Sequence, residues 1–342
     1  MIRRIALAVL VVAIVAAWWL TPGQIALAPA EQRLRVTLER QWPGRGSPAR
    51  QAAFSSDGLL LVMSDAAGRV TIRRTADWRP VRQLQVPGGV TSLAFAPTGE
   101  SLFTAGYDGM VRAWRVGDGT IEKSFKGASG TIWSLDLGRD GQELLTAGED
   151  GTIRSWLLSS GAARSLNGHS GNVWKALYAS SSGTIVSGGF DRTVRIWRVG
   201  AEPQVLEGHD QAVVGLDIRL DGLMIASAGD DSTARLWRTA DGAPLRTIDA
   251  KNHVYDVKFS PDGALLLTAG RARGALGTLW YQLTGIGGAR KPVHLWRLKD
   301  GAAIAALPHV DDVMYAAFSP DGRRIVTSSE DGGVRLWRID RP

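Results

Sequence analysis

The sequence predicts an all-β fold in which seven similar four-stranded antiparallel units close into a ring, and three observations predict it. Six tryptophans, Trp114, Trp156, Trp197, Trp237, Trp296 and Trp337, occupy the same place in six copies of one pattern, with successive spacings of 42, 41, 40, 59 and 41 residues. A period near 40 marks a repeat architecture. Each tryptophan closes a hairpin, as in Asp108-Gly-Met-Val-Arg-Ala-Trp114 and Asp150-Gly-Thr-Ile-Arg-Ser-Trp156, where a tight turn leads into alternating strand residues. A second turn lies upstream, clearest in Phe259-Ser-Pro-Asp-Gly263 and Phe318-Ser-Pro-Asp-Gly322.

The elements of one unit follow in order. Period-two alternation, as in Val254-Tyr-Asp-Val-Lys-Phe259, gives the first strand. The Pro-Asp-Gly turn, a second strand, the Asp hairpin and the tryptophan strand come next, and an outer strand such as Gln204-Val-Leu206 completes the unit. The first unit has decayed: Arg73 stands where the tryptophan belongs, and Ala67 where the hairpin aspartate belongs. Counting it gives seven units over residues 31–342. The last unit ends soon after Trp337 without an outer strand. Leu34-Arg-Val-Thr-Leu-Glu39 is expected to supply it, because an unclosed ring would leave open sheet edges.

These residues resemble the WD-repeat β-propeller family, whose blades are closed by a bonded His, Ser/Thr, Asp and Trp. The resemblance implies three complete tetrads: His169, Ser187, Asp191 and Trp197; His209, Ser227, Asp231 and Trp237; His309, Thr327, Asp331 and Trp337. Gly-His precedes the blade at Gly168-His169 and Gly208-His209. Blade 2 keeps Thr104, Asp108 and Trp114, and blade 3 keeps Thr146, Asp150 and Trp156. Both lack the histidine, and Ala128 occupies its place in blade 3. Trp-Arg usually stands where the family name implies Trp-Asp, a departure at a partly exposed position that leaves the fold expectation intact.

Before the first unit, Met1-Ile-Arg-Arg4 leads into sixteen uncharged, mostly apolar residues, Ile5 to Leu20, expected as an N-terminal helix ending in Trp18-Trp19. Residues 1–30 read either as a signal peptide cleaved near Ala28-Pro29-Ala30 or as an uncleaved membrane anchor. The paired tryptophans suit a membrane interface. Arg3 and Arg4 favour an inside N-terminus and an exported propeller, which in a bacterium means the periplasm. Arg33, Arg35 and Arg40 weaken that bias.

The formal charge is +7, or +5 without Arg3 and Arg4. Ten arginines of the repeated Arg-x-Trp-Arg strand, including Arg112, Arg154, Arg195, Arg235 and Arg335, account for this excess as solvated rims spaced around the ring. No nucleic-acid partner is expected. No cysteine is present, so disulfides and thiolate sites are excluded. The five histidines form no metal-binding pair, and each recurring Ser/Thr, His and Asp set is structural. No enzyme activity, cofactor or metal is expected.

In the family, partners dock where the innermost strands begin. Carried over, that face holds Thr91, Trp133, Trp174, Val214, Tyr255 and Met314 from the inner strands. The residues before the hairpin aspartate are Tyr107, Glu149, Phe190, Asp230 and Glu330. Aromatic rings within an acidic rim suit a protein interface, although the same rings could pack together and plug the channel. Blade 6 carries an 18-residue insertion within 271–291, with Trp280 and Tyr281, that emerges on this face. The resemblance implies a non-catalytic scaffold for a protein partner, and the apolar run of residues 5–20 adds the expectation that it is membrane-tethered. The alternatives are a sugar- or small-molecule-binding propeller with hydrolase or lyase activity, and a cytosol-facing scaffold.

Overall fold

The computed structural model describes residues 25–29, 34–179, 183–271 and 290–340. Among these, every strand belongs to one of seven four-stranded antiparallel sheets. The first blade comprises Ala49–Phe54, Leu60–Asp65, Arg69–Arg74 and Pro80–Gln85, and the fifth comprises Val213–Ile218, Met224–Gly229, Thr233–Arg238 and Pro244–Asp249. The inner strands touch their neighbours all the way round, and the inner strand of blade 1 meets that of blade 7.

Closure falls where the sequence places it. Arg35–Trp42 pairs antiparallel with Val334–Asp340 and is the outer strand of blade 7. It is longer than the expected Leu34–Glu39, and its extension explains how blade 1 survives the loss of its tryptophan. Trp42 packs edge-on against Trp78 at 5.8 Å. The Arg73 guanidinium lies 5.4 Å over Trp42 and donates to the Trp78 carbonyl at 2.8 Å. Trp42 from the closure strand and Trp78 from blade 1's own outer turn thus cover the site of the missing indole. Glu39 ties the closure strand to Arg324 at 2.9 Å.

The core lies between blades rather than within them. Leu236 and Ile248 of blade 5 pack with Val257, Leu266 and Trp296 of blade 6, and Val186, Val194 and Ile196 of blade 4 pack with Leu216 and Trp237 of blade 5. Each sheet is apolar on both faces because both are covered, so its strands read as near-continuous runs such as Leu265–Gly270. Near the start of the chain, the Ala28 amide donates to the Ala303 carbonyl at 2.7 Å, and Leu27 forms a parallel bridge to Ala303. Ile25 and Leu27 pack beside the outer strand of blade 6. The expected apolar helix of residues 5–20 lies outside the described residues, as do Trp280, Tyr281 and most of the 271–291 insertion.

Candidate functional site

Two of the three expected tetrads close. In blade 4, His169 Nδ1 lies 2.9 Å from Asp191, His169 Nε2 lies 2.7 Å from Ser187 Oγ, and Trp197 Nε1 donates to that oxygen at 2.8 Å. Blade 5 repeats this with His209, Asp231, Ser227 and Trp237 at 2.8, 2.7 and 2.8 Å. Burial opposes ionisation of the two carboxyls, but hydrogen bonds from His169 and His209, and then from Thr193 and Thr233, outweigh it and hold both well below the usual range.

Blade 7 does not close its tetrad, which corrects the expectation for His309. Its Nε2 meets Thr327 Oγ1 at 2.8 Å, and Trp337 donates to the same oxygen at 3.0 Å. Its Nδ1, however, faces the Leu307 carbonyl at 3.3 Å, and Asp331 bonds instead to Arg335 at 2.5 Å and to the Gly333 amide. Two substitutions give the physical reason. Gly168 and Gly208 precede their histidines with φ of 158° and 155°, a value closed to the proline ring of Pro308. The outer strand accordingly runs on through His309. Gly333 also stands where Thr193 and Thr233 hold their aspartates at 2.8 and 2.7 Å. Burial, aided by Arg335, pushes the His309 imidazole down to about 3.

The incomplete blades keep the Thr–Trp bond: Thr104–Trp114, Thr146–Trp156 and Thr268–Trp296 span 2.9, 3.0 and 2.8 Å. In blade 3 the Thr146 hydroxyl donates to the Gly127 carbonyl in place of a histidine. The arginines two residues before the tryptophan are not solvated rims, which corrects a second expectation. Arg112 and Arg335 are buried, and they clamp Asp108 and Asp331 at 2.6 and 2.5 Å. The arginines after the tryptophan are the more exposed set; Arg115, Arg238 and Arg297 pair with aspartates of the following turn.

At the mouth, a cavity of about 310 Å³ opens on the channel. Thr91, Tyr107, Trp133, Trp174, Val214, Asp230, Tyr255 and Met314 line it together. Phe190 does not; it remains 63% exposed. Glu149 turns back to the Thr131 amide at 3.0 Å, so the acids do not converge on the cavity. The rings do touch: Trp133 and Trp174 lie 4.9 Å apart, and Tyr107 packs edge-on to Trp133 at 6.0 Å. They form a wall beside the cavity rather than a plug. Arg271, the first residue of the blade 6 insertion, donates to Tyr255 at 3.2 Å and faces Asp312 at 3.7 Å. The insertion therefore departs from this mouth.

Sequence reasoning missed Arg50, Lys175, Asp256 and Tyr315, which also line the cavity. The inner strands explain why. Their register shifts within Ile132/Ser134, Val173/Lys175, Val213/Gly215, Val254/Asp256 and Val313/Tyr315. Each is a bulge at the residue already singled out, and a bulge re-aims adjacent side chains. Trp174 with Lys175, Tyr255 with Asp256 and Met314 with Tyr315 therefore share one cavity, where strict alternation would divide them between faces. Deeper in the channel, Lys258 lies 3.4 Å from Asp256 and 3.6 Å from Asp217. Burial lowers its basicity, but Asp256 and Asp217 outweigh that and hold its ammonium above the usual lysine range. Burial pushes Asp136 up to about 6, against the Tyr178 amide that donates to it at 2.8 Å. Among the described residues, no group of three or more metal-ligating side chains is placed to hold an ion.

A ring of seven four-stranded blades with an open, aromatic-walled mouth defines the molecule as a β-propeller with a candidate binding face. The chain belongs to the WD domain, G-beta repeat family, whose pattern matches residues 78–115, 119–156, 162–198, 200–238, 242–273 and 303–338. Proteins of this family generally serve as protein-interaction scaffolds. The chain is similar to nuclear distribution protein nudF 2 of Penicillium rubens, 24% identical over 42% of this chain and 31% of that protein. It is 27% identical to WD repeat-containing protein srw1 of Schizosaccharomyces pombe, over 40% of this chain and 30% of the relative. Eukaryotic translation initiation factor 3 subunit I of Phaeosphaeria nodorum is 29% identical over 38% of each chain. The chain thus spans about a third of the length of these curated relatives. All three are eukaryotic, so the comparisons lend no support to a bacterial origin.

Proposed function

We propose that this protein is a non-catalytic scaffold that holds a partner protein at the mouth where the inner strands begin. The observation that carries the reading is the cavity of about 310 Å³ walled by Trp133, Trp174, Tyr255 and Met314, four side chains set at inner-strand bulges. Bulky apolar and aromatic groups around a recess are the usual anchors of a protein interface, and a closed propeller presents them on a rigid frame. The acids expected for sugar chemistry do not meet there; of Glu149, Asp230 and Glu330, only Asp230 lines the cavity. Capture of partners from native extracts by wild type and by the W133A/W174A variant tests this reading. Loss of specific partners from the variant supports it, and an unchanged partner set overturns it.

The reading extends to a membrane tether through residues 5–20, with the propeller exported, on the periplasmic side in a bacterial cell. The apolar run and the arginines before it support this in sequence. No described helix is long and apolar enough to cross a membrane. Ile25–Ala28 lie beside the start of the outer strand of blade 6, the end of that strand farthest from the mouth. A tether entering there leaves the mouth facing away from the bilayer. A topology reporter fused after Pro342 checks the placement: activity on the exported side supports it, and activity on the cytosolic side supports the reversed scaffold.

A further inference from the structure

The polar groups around the mouth cavity are mostly matched. Asp256 accepts the Ala316 amide at 3.2 Å and faces Lys258 at 3.4 Å. Asp230 faces His253 Nδ1 at 3.4 Å, and Tyr255 bonds both Asp312 and Arg271. What remains unmatched is all of one kind. The indole Nε1 atoms of Trp133 and Trp174 and the Arg50 Nε are buried without a hydrogen-bond partner. The half-buried Lys175 ammonium makes no hydrogen bond or ion pair among the described residues. It lies instead over the face of Tyr315, across the channel at 5.9 Å.

Lys258 lies over the same Tyr315 ring at 5.5 Å, but it has two carboxylates of its own. Lys175 has none within ion-pair distance. Burial pushes its ammonium below the usual lysine range and the Lys258 charge adds to that push, although the more distant carboxylates of Asp256, Asp136 and Asp217 oppose it. An ammonium drawn from water without a direct ion-pair partner is costly, and an anion bound against it recovers part of that cost. A cation with no direct ion pair can take an anion, and the aromatic wall can take an apolar neighbour.

We propose that the mouth takes a carboxylate of the partner protein, seated on Lys175 with its apolar flank against Trp133 and Trp174. This rests on the docking reading above and specifies the chemistry of the segment that docks. The carboxylate can come from an acidic side chain or from a chain terminus, and the Lys175 ammonium would receive either.

Titration calorimetry of the full chain tests it with three peptides rich in phenylalanine, two blocked at both ends and one blocked only at its N-terminus, and with tetramethylammonium as a cationic control. One carries an internal glutamate, one carries glutamine in its place, and one has a free C-terminus as its only carboxylate. The expected result is that at least one charged peptide binds about tenfold tighter than the neutral one, as a charge-assisted contact requires. That preference disappears in K175M and returns in K175R. Preference for the internal glutamate identifies a side chain, and preference for the free terminus identifies a chain end. The proposal is overturned by equal affinities, by a preference that survives in K175M, by tighter binding of tetramethylammonium, or by no binding of any peptide at about 1 mM. If charge preference is absent while W133A/W174A still loses its partners, the docking reading stands and the carboxylate does not.

Discussion

Blades 4 and 5 and blade 7 carry His, Ser or Thr, Asp and Trp at the same spacing, yet only blades 4 and 5 join them into one network. His169 and Asp191, like His209 and Asp231, are 22 residues apart and in contact. His309 and Asp331 are also 22 residues apart, but each is bonded elsewhere. The difference lies in the supporting residues. Glycine before the histidine and threonine two residues after the aspartate bring the pair together, whereas Pro308 and Gly333 let it separate. A motif is therefore a set of functional groups together with the backbone that aims them.

The largest expected contrast comes from removing the histidines. H209A strips a buried carboxylate of its ring partner and should cost about 3 kcal/mol, whereas H309A loses the Thr327 hydroxyl contact and a long contact to the Leu307 carbonyl and should cost about 1.5 kcal/mol. Urea unfolding at pH 7 measures both, and equal losses would erase the distinction between the blades.

Acid should separate them next. His309 titrates lower folded than unfolded, so the unfolded chain binds more protons between the two values. The resulting stability is present above about pH 6.5 and is lost as pH falls towards about 3, at no more than about 1.4 kcal/mol per unit. Asp191 and Asp231 are also depressed, but from a carboxylate baseline, so their contribution is intact above about pH 4 and declines only below it. The pH dependence of unfolding in H309F should therefore lack the upper part of the wild-type slope.

Repair is a finer test. A Cβ at position 333 would lie 2.8 Å from Asp331 Oδ1, which obliges the carboxylate to leave its seat. P308G/G333T should thus restore the His309–Asp331 bond, raise the His309 titration above its wild-type value by NMR, and add about 1 kcal/mol. An unmoved titration would mean that Pro308 and Gly333 are not the cause. Smallest of all should be the effect of W133A/W174A, about 1 kcal/mol or less for the lost ring contact. These tryptophans wall the cavity and do not take part in the tetrads, and a thermal melt checks this.

The framework was legible because each blade repeats its evidence; even Arg73 could be placed by its position in the count. The broken tetrad was legible in principle, since Pro308 and Gly333 stand in the sequence, but the four matching residues concealed them. At the mouth, the position carried across the blades found Trp133, Trp174, Tyr255 and Met314, and the bulge that follows hid Lys175, Asp256 and Tyr315. Period-two reasoning assigns neighbouring residues to opposite faces, and a bulge suspends that rule for one step. Arg50 was missed for another reason: it belongs to the blade whose tryptophan is gone.

Photocrosslinking from two positions tests most directly the claim that the mouth is the binding face. A photoreactive residue replaces either Met314, which lines the cavity, or Leu223, which is exposed in a turn at the opposite end of the inner strands. The result expected is a discrete partner adduct from position 314 and none from position 223. Adducts from position 223 alone, or the same adducts from both, would contradict it.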